Sequence, residues 1–396
     1  MPSLNKYEVT GIFLIKLLWG FLFAWVHFKY YDGGDTFYYF EKSGVLFNSI
    51  HQSVWDYIRL VFGPTFHQIP VELKEYAFNV DCYNDSNSFF MLRFMAAARL
   101  ICGNHYYATL VLFEWLTTFG VLQLFQFFYE KMPGKKNMLL FALLFFPGVS
   151  FWTNGMHKEA VALCGLGFLF NGFQKSLAHF SIKNFMRFLT GLFLILYSRN
   201  FLLLFLFPGL MAGALCFFKP KFIWPKFVLI YTGFMFFVFS VLPSISSINI
   251  LEEMAKKQLD FIYLTQSNTN IPISELKPTF SGYLSLVPAA LSNCLFHPNF
   301  FEVTSPIQWP AAIDNLLFGI LALLCFWLVD FKRLNSWLFA MLLCTVLFYY
   351  STIGIIVTNL GALVRYKSLG LFLLLMAFVF IADQNKMNKI FRPHRN

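Results

Sequence analysis

Polar and apolar positions along this chain are sorted on the scale of whole segments. Apolar runs fall near 11–28, 106–129, 138–152, 159–173, 186–198, 201–218, 227–243, 311–329, 334–358 and 368–382, with short polar connections between most of them. A straight helix needs roughly 20 apolar residues to cross a bilayer, so the pattern predicts ten membrane spans, several of them short enough to leave re-entrant pairs open. The run at 11–28, "GIFLIKLLWGFLFAWVHF", is not followed by a small-residue cleavage site and is expected to stay as the first membrane helix.

Two longer stretches interrupt this rhythm. The segment 29–105 holds "YYDGGDTFYYF" and the amphipathic "FFMLRFMAAARLI" (89–101), which reads as a surface helix whose Arg93 and Arg99 snorkel to the interface. The segment 244–310 holds a second surface helix, "ILEEMAKKQLDFIYL", and a Pro-punctuated stretch, "SLVPAALSNCLFHPNFFE". The fold class expected is an all-α polytopic integral membrane protein, one domain over 1–396, with two outer loop regions carrying short helices. No repeat of fixed period is evident.

Charge fixes the expected orientation. With the N-terminus inside, the connections "EKMPGKKN", "QKSLAHFSIKNFMR", "KPKFIWPK" and "DFKRLN", the tail "DQNKMNKIFRPHRN" and Lys6 hold 16 of the 30 Lys and Arg residues. The short segments on the opposite side hold only Lys158, Arg199, Arg365 and Lys367. Short loops obey the positive-inside rule, so both termini are expected inside and the 29–105 and 244–310 stretches outside. The net charge of +10 therefore reads as topology rather than nucleic-acid binding.

Composition agrees. Mean hydropathy is +0.60 and only 13% of residues are charged, against about 25% in soluble domains. The seven cysteines stand singly, without C-x-x-C or Cys/His spacing, which gives a zinc site or a disulfide framework little support; Cys82 and Cys294 could pair only if both loops face an oxidising space.

Candidate chemistry gathers at the outer ends of the predicted spans. His157, Lys158 and Glu159 sit between two apolar runs in "FWTNGMHKEAVALCG". Arg199 lies in "LYSRNFLL", Arg365 and Lys367 in "TNLGALVRYKSLG", and Asp32 and Asp35 follow the first span. Each alone has an ordinary reading. An Asp just past a helix is solvated, "DGG" is a turn, an Arg or Lys at a helix end snorkels, and Glu159 suits a helix N-terminus. Glu114 is harder to dismiss, because a carboxyl two turns inside a span must be neutral or paired with a cation, such as an outer-face Arg. Asp314 suits a helix start. Convergence of both signs of charge on one level implies a polar cleft: carboxylates to take a proton or hold a divalent cation, and cations to bind a phosphate. The outer Trp, Tyr and Phe residues suit an interfacial belt and, secondarily, sugar stacking.

On these residues the chain resembles the C-type (GT-C) membrane glycosyltransferases and related bacterial surface-polysaccharide polymerases. The resemblance rests on "DGGDTFYYFEKSG" after the first span, "RFMAAARLICGNHYYATLVL", "FFPGVSFWTNGMHKEAVALCGLGFL", "LVPAALSNCLFHPNFFE" and "TNLGALVRYKSLGLFLLL". It covers most of the chain in layout, through short, loose motifs. It implies transfer of a sugar from a polyprenyl-phosphate-linked donor to a glycan, lipid or protein acceptor, on the outward face of a bacterial inner membrane. Asp35 and then Asp32 are implied as catalytic base or cation-linked group, and Arg365, Arg199 and Lys158 as donor-phosphate contacts. His157, Glu159 and Glu114 would support them. Two departures, no large soluble C-terminal domain and no Pro after the Arg in "LVRYKSL", point to a different donor, a polymerase or lost activity. A polymerase or ligase using lipid-diphosphate-linked glycans, a transporter or flippase, and a scaffold are the competing readings.

Overall fold

A computed structural model describes residues 4–63, 73–83, 85–263, 271–384 and 386. Parts of both long stretches (64–72, 84 and 264–270) and the basic tail from 387 lie outside these residues. The described chain is helical. In order come α1 (Lys6–Tyr30), α2 (Gly34–Asn48), α3 (Val54–Phe62), α4 (Lys74–Phe78), α5 (Ser86–Cys102), α6 (Tyr106–Lys131), α7 (Lys136–Leu144), α8 (Pro147–Trp152), α9 (Lys158–Ala178) and α10 (Ile182–Arg199). Then follow α11 (Phe201–Phe218), α12 (Ile223–Phe236), α13 (Leu242–Ile245), α14 (Ile250–Tyr263), α15 (Phe280–Phe296), α16 (Trp309–Trp327), α17 (Phe331–Leu334), α18 (Trp337–Ile356) and α19 (Leu360–Ile381). Among the described residues the only strand-like pairing is one isolated bridge, Val329 to Ala382.

Among the described residues seven helices are long and apolar enough to cross a membrane: α1, α6, α11, the continuous Ile223–Ile245 stretch, α16, α18 and α19. Three of the ten expected runs fall outside that set, each for a visible reason. The run 138–152 is broken between α7 and α8. Pro147 begins the second piece, and the residue before a proline is driven out of helical geometry. The runs 159–173 and 186–198 are α9 and α10, which carry Lys158, Glu159 and Lys175, and Lys183, Arg187 and Arg199.

The chain divides into two compact units. The first comprises residues 1–127 and 150–203, the second 128–149 and 204–396. In the first, α9 and α10 form a tight antiparallel hairpin closed at 179–181. A Cβ on Gly191 would fall 2.2 Å from the Leu169 nitrogen, and one on Gly167 would fall 1.9 Å from the Gly120 oxygen, so glycine lets α9 approach both α10 and α6. The 29–105 stretch packs into a buried core in which its Tyr39, Leu46, Tyr57, Leu92 and Met95 join Phe113 of α6 and Val161 of α9. Arg99 does not snorkel. It is buried, its Nε donates to Ser43 Oγ at 2.9 Å, and it also bonds Asn104 and the Phe40 carbonyl while lying over the Phe40 ring. Because α5 is covered by α2, α3 and α10, its arginine face has no open interface to reach.

In the second unit α18 and α19 are the most enclosed spans, and α15 packs against α18 where Gly354 admits the Ala290 carbonyl. Tyr283 OH meets Ser351 Oγ at 2.6 Å, and the buried Gln258 ties the 271–276 segment to α18 through Leu276 N (2.6 Å) and Ile355 O (3.0 Å). All seven cysteines are free thiols, including Cys82 and Cys294.

Candidate functional site

The first unit gathers four of the eight site residues expected from the sequence into one connected chain, and the hairpin explains how. Glu159 lies in the first turn of α9 and Arg199 ends α10, so closing the hairpin at its far end brings these two open ends together. Arg199 Nη2 donates to Glu159 Oε1, and the other Glu159 oxygen lies against His157 Nδ1. His157 is the N-cap residue of α9, and its Nε2 stands 3.7 Å from Asp35 Oδ2. Asp35 enters from the first turn of α2, set up by a turn in which Asp32, Gly33 and Gly34 all have positive φ (46°, 91° and 52°).

Burial along this chain is uneven. The Asp35 side chain is 43% exposed, whereas those of His157 and Glu159 are 1% exposed. The arrangement is thus an open carboxylate backed by a buried imidazole, a buried carboxylate and a buried guanidinium. The imidazole thus stands between two carboxylates, with Nδ1 on the Glu159 side and Nε2 on the Asp35 side. Phe23 and Trp152 flank the imidazole, with ring centroids 5.4 and 6.4 Å away, and shield it from water.

Lys158, the next residue, turns to α5. Its ammonium donates to Ser88 Oγ at 2.7 Å and lies 3.4 Å from Asp85 Oδ2, with the Tyr39 ring below it. Asp85 caps α5 and accepts from Asn87 N at 3.1 Å and Ser88 Oγ at 2.5 Å. Burial would raise the Asp85 pKa, but the Ser88 hydrogen bond, the Lys158 charge and the backbone amides outweigh it and hold the carboxyl below its ordinary value.

A second buried pair positions the loop that carries His157. Glu114 of α6 is fully buried and pairs with Lys16 of α1 at 3.0 Å. Its expected cation partner is therefore not an outer-face arginine but a lysine from the first span. Lys16 Nζ also donates to Asn154 Oδ1 at 2.5 Å, and Gly155 N donates to Glu114 Oε1 at 2.5 Å. Gly155 has φ 74°, and a Cβ there would fall 2.3 Å from Phe23, so the turn entering His157 requires glycine. Lys16 went unread in the sequence, although it is the one charged residue within 11–28.

The remaining candidates lie apart from this chain of contacts. Asp32 is exposed on the turn before α2. Arg365 belongs to the second unit, where its guanidinium stands over the Tyr366 ring at 5.3 Å. In the same unit Lys367 is buried and donates to Cys294 O (3.3 Å), His297 O (2.9 Å) and Asn315 Oδ1 (2.7 Å). Asp314, expected to mark a helix start, is buried inside α16 and accepts from Gly148 N at 2.8 Å. Among the described residues no group of three or more His, Cys, Asp or Glu side chains is gathered as a metal ion would need.

Long apolar helices, with buried charges that meet one another rather than lipid, define a helical membrane protein. Comparison with known proteins gives no narrower membership, since no family model, curated protein or solved structure matches the chain.

Proposed function

We propose that this membrane protein is a glycosyltransferase that moves a sugar from a polyprenyl-phosphate-linked donor to an acceptor hydroxyl, with Asp35 as general base. The observation that carries the reading is the half-exposed Asp35 carboxylate, backed by the buried His157–Glu159–Arg199 chain. In the proposed step the acceptor oxygen bonds to the anomeric carbon as the bond from that carbon to the phosphate oxygen breaks. Polyprenyl phosphate leaves with the electron pair, and the hydroxyl proton passes to Asp35. His157 orients the carboxylate, and Glu159 and Arg199 hold the imidazole in its tautomer. Lys158, beside His157, is the cation of this unit proposed to face the phosphate; Arg199 serves Glu159. The phosphate role of Arg365, a cation at Asp32 and Asp35, ten spans with both termini inside, and an outward-facing site in a bacterial inner membrane belong to the same proposal.

One observation favours transport instead: Lys16 and Glu114 form an ion pair between two spans. Asn154 and Gly155 close that pair on itself, which suits an anchor better than a path. The experiment is deletion of the gene, followed by mass spectrometry of lipid-linked and surface glycans after complementation with wild type, Asp35→Asn or Arg365→Ala. The expected result is a glycan short of one sugar that wild type restores and Asp35→Asn does not. Full-length repeat units left unjoined would assign a polymerase. Turnover by Asp35→Asn at the wild-type rate would refute the base.

A further inference from the structure

The second unit contains a cavity of about 700 Å³ between α7, α16 and α19 that the proposed reaction does not use. Its wall is apolar: Met138, Phe141 and Phe146 from the α7 side, Leu321 from α16, and Leu375 and Phe378 from α19. Its mouth is polar, formed by Gly134, Lys135, Lys136, Asn137 and Gln384. Depth runs in step along the elements, from Lys136 to Phe146 on one side and from Gln384 back to Leu375 on the other. At helical rise the latter interval spans roughly 13 Å. The space is therefore a half-open groove with one polar end.

Charge at that end is lopsided. Its lining carries Lys135 and Lys136 and no carboxylate, and of the charges near Lys135, Arg333 offsets part of Asp330 and Asp383. Three basic side chains grip the C-terminal end of α19 and its surroundings. Lys135 Nζ donates to the carbonyls of Val379 (2.7 Å) and Phe380 (3.1 Å) and to that of Ala382; Arg333 donates to Phe380 O at 3.0 Å, and Lys386 to Val329 O at 3.2 Å. Lys135 also stands at the N-cap of α7, whose first turn no side chain caps. Lysines at the polar end of an apolar groove match a ligand with an anionic head and a hydrocarbon tail.

We propose that this cavity binds one anionic membrane phospholipid, with the phosphate at Lys136 and the α7 amino end and one acyl chain along the groove lined by Phe141, Phe146 and Leu375. Basic pockets between membrane helices hold such headgroups, and a neutral lipid would leave the cationic mouth without a counter-charge. The inference stands independently of the sugar-transfer reading, because it needs only the cavity, its charge and the membrane.

The test uses the full chain in detergent, equilibrated with equimolar phosphatidylglycerol and phosphatidylcholine and read by native mass spectrometry. Wild type should retain one phosphatidylglycerol per chain with a preference of about tenfold or more over phosphatidylcholine, and Lys136→Glu/Asn137→Glu should lose that preference. Decyl phosphate should displace the lipid, while decanol and inorganic phosphate at the same concentration should not. If the double variant does not fold, the displacement series on wild type decides by itself. Equal retention of the two lipids by wild type, undiminished preference in the folded variant, or displacement by inorganic phosphate as effective as by decyl phosphate would each overturn the proposal.

Discussion

Replacing Lys16 by Met tests whether the Lys16–Glu114 pair is the anchor of the His157 loop. The two side chains are 2% and 0% exposed and 3.0 Å apart. At an effective dielectric constant of about 20 their attraction is about 5.5 kcal/mol, and losing one partner of a buried pair commonly costs about 3–5 kcal/mol. Alternative partners in the unfolded state within the membrane reduce that figure, so we expect Lys16→Met to cost about 3 kcal/mol. Glu114→Gln keeps an oxygen for Gly155 N and leaves Lys16 its bond to Asn154; about 2 kcal/mol is expected. The double variant Lys16→Met/Glu114→Gln buries no unpaired charge and should cost less than the sum of the singles by about 3 kcal/mol. Denaturant unfolding in mixed micelles, followed through a full double-mutant cycle, reads this coupling directly. Additive costs in the cycle would refute the reasoning. Complementation by Lys16→Met should also fall, because the Gly155 turn that delivers His157 hangs on Glu114.

Three further outcomes follow from the same geometry. The depressed pKa of Asp85 contributes stability that is fully present above its ordinary value and is lost as pH falls through the lower folded value. Thermal melts should therefore show an acid limb below pH about 4 that is weaker in Asp85→Asn; an unchanged limb would separate Asp85 from it. Lys367→Met strands two carbonyls and the Asn315 oxygen, so a loss of about 3 kcal/mol or more in the same unfolding assay is expected, against a smaller loss for Asn315→Ala. The combined substitution Glu159→Gln/Arg199→Met should unfold at lower denaturant than wild type but at higher denaturant than Arg199→Met alone, and it should still fail to restore the glycan.

How much of this could be read from the chain depends on the range of the interaction. The spans were legible because lipid demands long apolar runs, and the His157–Lys158–Glu159 trio was legible because it interrupts two of them. Asp35 came from the turn after the first span. What escaped were partners far apart in sequence. Glu114 called for a cation, but choosing Lys16 requires knowing that α1 meets α6 one face to another. Asp85 and Ser88 looked like loop residues until α5 was placed beside α9. Arg99 was read as snorkelling because an amphipathic pattern reports one polar face and is silent about what covers it. The short run 138–152 was read through a proline whose local effect was visible in "FFPG" and outweighed by hydropathy.

The Asp35–His157–Glu159–Arg199 chain is hard to account for by stability alone. The α9–α10 hairpin is already fixed by glycine-mediated backbone approach at Gly165, Gly172 and Gly191, so its ends do not need an ion pair to meet. Buried ionic groups exchanged for apolar ones of similar size are often neutral or stabilising, which makes three buried ionisable side chains a cost that packing does not require. The structural pair, Lys16 with Glu114, closes on Asn154 and Gly155 and is shut off from solvent. The second chain differs in one respect: it ends at a carboxylate that is nearly half exposed. A network built only to hold helices together has no need to present its last member to solvent. A half-exposed Asp35 with buried His157, Glu159 and Arg199 behind it is the placement that the proposed base would need, fixed in position and accessible to a ligand.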